Sequence, residues 1–244
     1  MTDSERFERL CKKDSETLHI REGIGTLSEK RLHRVIKSYV SENASDWEIP
    51  VGRYVADVLA DNVIYEIQTG SFERLLPKLS YYLEQTSYSV MVIHPVIRNK
   101  RIIRIEPEAG EVIRNKMSPT HGRTADLLVR LFQIKDILPN ERIKIKLLLI
   151  DAEEYRYSER VKHRRSGAYV SELFPLSLVS ETDFSSAEDF RQFLPEGLNS
   201  FCAAEYSEFI GKKGRKLYSC LNLLCSLGLI DREKDGRKYI YKVK

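Results

Sequence analysis

Apolar residues in the first hundred positions recur at two periods. In "TLSEKRLHRVIKSYVSE" the residues Leu32, Val35, Ile36, Tyr39 and Val40 follow the i, i+3, i+4, i+7, i+8 spacing of one helical face, which predicts an amphipathic helix over residues 26 to 42. The period then drops to two. "WEIPV" predicts a strand over 47 to 51, and the alternation of Val55, Asp57 and Leu59, followed by that of Ile64, Glu66 and Gln68, predicts strands over 53 to 59 and 63 to 68. A helix over 71 to 85 and an apolar strand, "YSVMVIHPV", over 88 to 96 complete an α-β-β-β-α-β order.

Asp61 and Asn62 tolerate positive φ and suit a two-residue hairpin turn. That turn pairs Ala60 with Val63 and sets Asp57 opposite Glu66. Facing side chains on an antiparallel pair have Cβ atoms about 4.5 to 5.5 Å apart, so two carboxylates there repel. A divalent cation would compensate, because carboxylate oxygens suit Mg²⁺ or Mn²⁺, which polarises a phosphoryl group. The alternative is that this face is simply the solvent side of the sheet. Glu29 has two readings as well: with Thr26 it has capping-box spacing, and it also continues the apolar face one turn before Leu32 and His33, where it could point toward a site.

With this element order and these residues, the chain resembles the PD-(D/E)xK nuclease superfamily over residues 20 to 96. The resemblance implies a restriction-endonuclease-like α/β fold, a mixed sheet flanked by helices. It makes Asp57 the motif aspartate, Glu66 the motif acid and Glu29 the first-helix acid. Asp57 and Glu66 would then hold Mg²⁺ or Mn²⁺, with the main-chain carbonyl of Ile67 completing the site. Gln68 stands where the family usually has lysine; an amide orients water but brings no positive charge. Some members carry that lysine on the following helix, where this chain has Lys78; a solvated charge beside Leu75, Leu76 and Leu79 is the plainer role for it. Pro77 should kink or restart that helix.

Farther along, "RNKRIIRIEPE" reads as a basic edge strand with Arg98, Lys100, Arg101 and Arg104, "HGRTADLLVRLFQIKDIL" as a helix, and Ile145 to Ile150 as a core strand running into loop acids Asp151, Glu153 and Glu154. "YRYSERVKHRRSG" interleaves Arg156, Arg160, Lys162, His163, Arg164 and Arg165 with tyrosines, which suits either a phosphate backbone or a solvated loop. The five histidines are too scattered for a zinc site or a catalytic triad.

Composition bounds these readings. With 42% hydrophobic and 31% charged residues in 244, the chain is an ordinary globular sequence. No apolar run reaches the roughly 18 residues of a membrane span, and the first residues lack a signal peptide's apolar core, so a cytoplasmic location without membrane association is expected. The four cysteines show no metal or redox spacing and are expected to be free thiols. The net charge of +4 is uneven: from Ser200 to Lys244 ten Lys and Arg face five acids. This basic segment follows "SETDFSSAEDFRQFLPEGLNS", read as a linker, which divides the chain into domains 1–195 and 196–244.

Within that segment, "CAAEYSEFIG", "KKG" and "RKLYSCLNLLCSLG" read as helix, turn and helix, and "LIDREKDGRKYIYKVK" as two strands about an Asp-Gly turn. The order resembles the winged helix-turn-helix family. The resemblance implies DNA contacts by Arg215, Lys216, Ser219 and Asn222 on the recognition helix and by Lys234, Arg237 and Lys238 on the wing. Together the two resemblances imply a metal-dependent endonuclease acting on double-stranded DNA, or a non-catalytic DNA-binding protein on a degenerate nuclease fold. Cutting both strands often takes two copies, which leaves a homodimer open.

Overall fold

The structure is a computed structural model and describes residues 2–18, 28–106, 111–158 and 169–244. A seven-stranded mixed sheet runs through the molecule. Its strands are β1 (Trp47–Val51), β2 (Tyr54–Ala60), β3 (Val63–Ile67), β4 (Ser89–Ile105), β5 (Val112–Met117), β6 (Ile143–Ser158) and β7 (Tyr169–Phe184). They lie in the order β1-β2-β3-β4-β6-β7, and β5 pairs with the later part of β4, beyond β3 and across β4 from β6. The β3–β4 and β4–β6 pairs are parallel and the remaining pairs antiparallel.

Helices cover both faces. On one face, α1 (Asp3–Leu18) and α2 (Ser28–Val40) bury Phe7, Leu10, Leu32, Val35 and Ile36 against Ile67, Ile93, Leu148, Ile150 and Leu178. The apolar stripe of α2 is the one its sequence period predicts; the cap expected at Thr26 falls outside the described residues. On the other face, α3 (Leu76–Gln85) and α4 (Asp126–Leu131) pack on Ile64, Val90, Val92, Ile145 and Leu147.

The central hairpin has the expected register. Asp61 and Asn62 take φ of 49° and 63°, and Val58 pairs with Tyr65, Leu59 with Ile64 and Ala60 with Val63. The next helix begins later than its pattern suggests: a 3₁₀ turn (Phe72–Arg74) precedes α3, and Pro77 sits in the first turn, where its missing N–H costs nothing.

Several readings of the middle of the chain are corrected. Residues 98 to 105 are not an edge strand but the continuation of β4, paired on both sides by β5 and β6. A bulge at Arg98 allows this, and Asp151 stabilises it: its carboxylate accepts from Arg98 Nη2 at 3.0 Å and from the Asn99 N–H at 3.1 Å. Asp151, Glu153 and Glu154 therefore lie on β6 rather than in a loop, each paired with a β4 cation, Arg98, Arg101 and Lys100 respectively. The helix over 121 to 138 shrinks to α4 and a 3₁₀ turn (Phe132–Ile134). Arg156 lies on β6, whereas Arg160, Lys162, His163, Arg164 and Arg165 fall outside the described residues.

The segment read as a linker is ordered. It finishes β7 and forms a 3₁₀ helix (Ala187–Phe193), closed by a Ser186–Asp189 capping box, whose Phe190 and Phe193 pack on Phe184. Beyond it, β8 (Ser200–Cys202), α5 (Ala203–Ile210), α6 (Gly214–Ser226), β9 (Ile230–Asp235) and β10 (Lys238–Val243) form a small unit around a three-stranded sheet, β8-β10-β9. Its Leu217, Leu221 and Leu224 share one apolar core with Leu127, Leu128 and Leu131 of α4, and Lys212 pairs with Asp126. No helix among the described residues is long and apolar enough to cross a membrane.

Candidate active site

Where β2 and β3 come together beyond the last ladder pair, side chains replace the regular hydrogen bonds. Asp57 Oδ2 accepts from the backbone N–H of Ile67 at 2.8 Å, and Oδ1 lies 3.2 Å from Nε2 of His33 on α2. Burial alone would raise the Asp57 carboxyl. The His33 hydrogen bond and charge, the Ile67 amide and the nearby Lys78 outweigh it and hold the group below its ordinary range.

Glu66, on β3, is only 2% exposed and is engaged from the opposite layer by α3. Lys78 Nζ lies 2.6 Å from Oε2, and the Tyr82 hydroxyl donates to Oε1 at 3.3 Å. Lys78 and Tyr82 are four residues apart on one helical face, so a single carboxylate can meet both. Burial, then the charge of Asp57, push Glu66 up to about 7 against the lowering pull of Lys78. The two carboxylates are thus coupled, yet each is held by its own partners from a different helix.

Asp57 opens onto a cleft of about 630 Å³ lined by His33, Arg34, Lys37, Trp47, Glu48, Ile67, Gln68 and Thr69. Gln68 stands at the cleft, but its side-chain amide donates to the Ser71 carbonyl. Its backbone is fixed by a 2.5 Å contact between its carbonyl and Nδ1 of His94. Burial pushes His94 down to about 4, so the ring is neutral and donates this bond.

The sequence-predicted residues therefore fall into three groups. Asp57, Glu66 and Lys78 come together, with Ile67 contributing its amide to Asp57. Gln68 borders the cleft with its amide turned to its own loop. Glu29 has its backbone in the first turn of α2, and its side chain lies outside the described residues. His33 and Tyr82 were missed. Tyr82 was signalled by its four-residue spacing from Lys78, and His33 by the same spacing from Glu29.

Two carboxylates suit one hard divalent ion. Among the described residues no group of three or more His, Cys, Asp or Glu side chains is placed to hold a metal; the carboxylates that interact at this site are two, Asp57 and Glu66. That is the number Mg²⁺ commonly takes, with water and phosphate oxygens filling the remaining positions. The negative charge that raises Glu66 is also what a cation would neutralise.

In the C-terminal unit, Arg215 and Lys216 are exposed at the start of α6, with Ser219 and Asn222 half-buried one and two turns on. Ser219 Oγ donates to the Arg215 carbonyl. Lys234, Arg237 and Lys238 are exposed at the β9–β10 hairpin, whose Gly236 has φ of 58°. All four cysteines are free thiols.

The chain is 30% identical over 138 residues to an uncharacterized protein of Treponema pallidum (strain Nichols), a match covering 56% of this chain and 54% of that relative's length. No solved structure matches. The family described as "Domain of unknown function (DUF8091)" matches residues 30–185, from α2 to the end of β7, and so contains both carboxylates and Lys78. With well over half of its length in that match, the chain belongs to the DUF8091 family.

Proposed function

We propose that this protein is a divalent-metal-dependent DNA endonuclease of restriction-endonuclease-like fold, positioned on duplex DNA by a C-terminal winged helix. The observation that carries the reading is Lys78: its ammonium lies 2.6 Å from Glu66 Oε2, beside a carboxylate coupled to Asp57. The cation that Gln68 fails to provide comes from the next helix.

Bound Mg²⁺ or Mn²⁺ would polarise the phosphoryl group and neutralise charge developing on it. Asp57, held ionised by His33 and the Ile67 amide, and Glu66 would bind it. Lys78 supplies positive charge at the same carboxylate and stabilises a phosphate oxygen brought there. The cleft beside Asp57 gives the scissile strand its access. The order of β8, α5, α6, β9 and β10 resembles that of a winged helix, and the exposed cations of α6 and the hairpin are the residues such a module would present to DNA.

One observation favours a non-catalytic DNA-binding protein instead: both Glu66 oxygens are already satisfied by Lys78 and Tyr82 in a nearly closed environment. Incubating the protein with plasmid, linear, single-stranded and branched DNA in Mg²⁺ or Mn²⁺, beside Asp57→Ala and Glu66→Ala, separates the two. Cleavage by the unaltered protein alone supports the nuclease. No cleavage of any substrate favours the binding protein, and cleavage that persists in both variants overturns the site.

A further inference from the structure

Past the bulge at Arg98, β4 extends with β5 and β6 into an arm. Its basic residues have no part in the site above. The register puts Lys100, Ile102 and Arg104 of β4, Arg114 and Lys116 of β5, and Ala152, Glu154 and Arg156 of β6 on one face: Arg104 pairs with both Arg114 and Arg156, and Ile102 with both Lys116 and Glu154. That is five cations and one carboxylate. Lys100 and Arg156 share Glu154, at 2.5 and 2.7 Å. Among the described residues Arg114 and Lys116 have no ion-pair partner, and every residue of β5 is exposed.

We propose that this face is a second DNA-contacting surface, on which Arg114 and Lys116 each neutralise a phosphate of a duplex that also reaches the cleft. Adjacent strands with like charges opposite one another are destabilising, and Arg104, Arg114 and Arg156 are aligned across three strands. A polyanion relieves that repulsion. A second copy pairing edge to edge along β5 would add to it, since antiparallel self-pairing brings Arg114 and Lys116 of one strand toward those of the other; edge charges are a common guard against such pairing. Reach fits a single duplex. From Ile93, level with Ile67, to Arg101, level with Met117, β4 rises about 26 Å at ~3.3 Å per residue, less than one helical turn of about 34 Å. The inference rests on the DNA reading above for its choice of polyanion, not on cleavage.

Binding of full-length protein to a duplex oligonucleotide is measured in EDTA, which keeps catalysis out of the readout, across a range of salt. Each lost phosphate contact lowers the log–log salt slope by about 0.9, so Arg114→Gln/Lys116→Gln should lower it by ~1.8 and weaken binding most at low salt. Arg114→Glu/Lys116→Glu should weaken it further, while neither variant lowers the melting temperature, because β5 is exposed and the substitutions remove the like charge facing Arg104. An unchanged slope overturns the proposal even if the protein cuts DNA, and a lowered slope supports it even if the protein does not. Tighter binding of single-stranded RNA than of duplex DNA, or a dimer dispersed by the Glu substitutions, would also overturn it.

Discussion

Glu66 is the residue on which opposite demands meet. Its burial favours the neutral acid, while Lys78 favours the carboxylate, and burial prevails, raising the group to about 7. The sign for stability follows: between the ordinary carboxyl range and pH 7 the folded chain binds the proton that the unfolded chain has released, so Glu66's contribution is present below about pH 4.5 and is lost as the pH rises to about 7. Urea unfolding at pH 5 and pH 7 should show most of that loss, about 2 kcal/mol, and Glu66→Gln should flatten it. Lys78→Met, leaving a buried carboxylate without its cation, should cost about 2 kcal/mol at pH 7, less than a fully buried pair because Lys78 is itself partly exposed. The double variant Glu66→Gln/Lys78→Met should recover most of that cost, which a double-mutant cycle in urea reads directly.

At the scale of elements, the arm depends on how β4 passes its bulge. Gly122 closes the approach from β5 to α4: its N–H donates to the Ile97 carbonyl at 3.0 Å, and a Cβ there would lie 2.4 Å from the same oxygen and 2.6 Å from Val96. Gly122→Ala should therefore destabilise the protein by about 1 to 3 kcal/mol in thermal or urea unfolding, as overpacking does. The elements nearest the site were the most legible in the sequence. The period of α2, the Asp61–Asn62 turn and the facing of β2 and β3 are local properties that a few side chains specify. The extension of β4 was not legible, because its charges resemble a solvated edge until the β6 acids that neutralise them are in place. α1 and β7 were missed for a similar reason: their packing is against each other and across the sheet, contacts that no local pattern encodes.

The whole molecule has one feature that the basic tail and Ser-rich stretch concealed. Residues 180 to 200 carry Ser, acids, Pro and Gly as a linker would, yet Phe190 and Phe193 anchor them, and α6 then completes the core over α4. Removing residues 200 to 244 would uncover Leu127, Leu128 and Leu131, each fully buried. Such a truncation should aggregate in sedimentation and lose its cooperative melt, so point substitutions at Arg215 and Lys216 are the proper probe of DNA binding by α6. For the same reason Leu221→Ala, at a fully buried position, should cost about 2 to 5 kcal/mol. The loss should appear as a shift of a single unfolding transition rather than as separate melting of the last 45 residues.

In the proposed nuclease Lys78 on α3 does the work for which β3 is followed only by Gln68. Single-turnover cleavage of the best DNA substrate in Mn²⁺ tests it most directly, comparing Lys78→Ala with Gln68→Ala in protein whose fold is verified by its melt. Lys78→Ala should cleave about 10² or more slower than the unaltered protein, the scale of losing a transition-state charge contact, and Gln68→Ala only a few-fold slower. Comparable rates for Lys78→Ala and the unaltered enzyme, or the larger loss at Gln68, would contradict it.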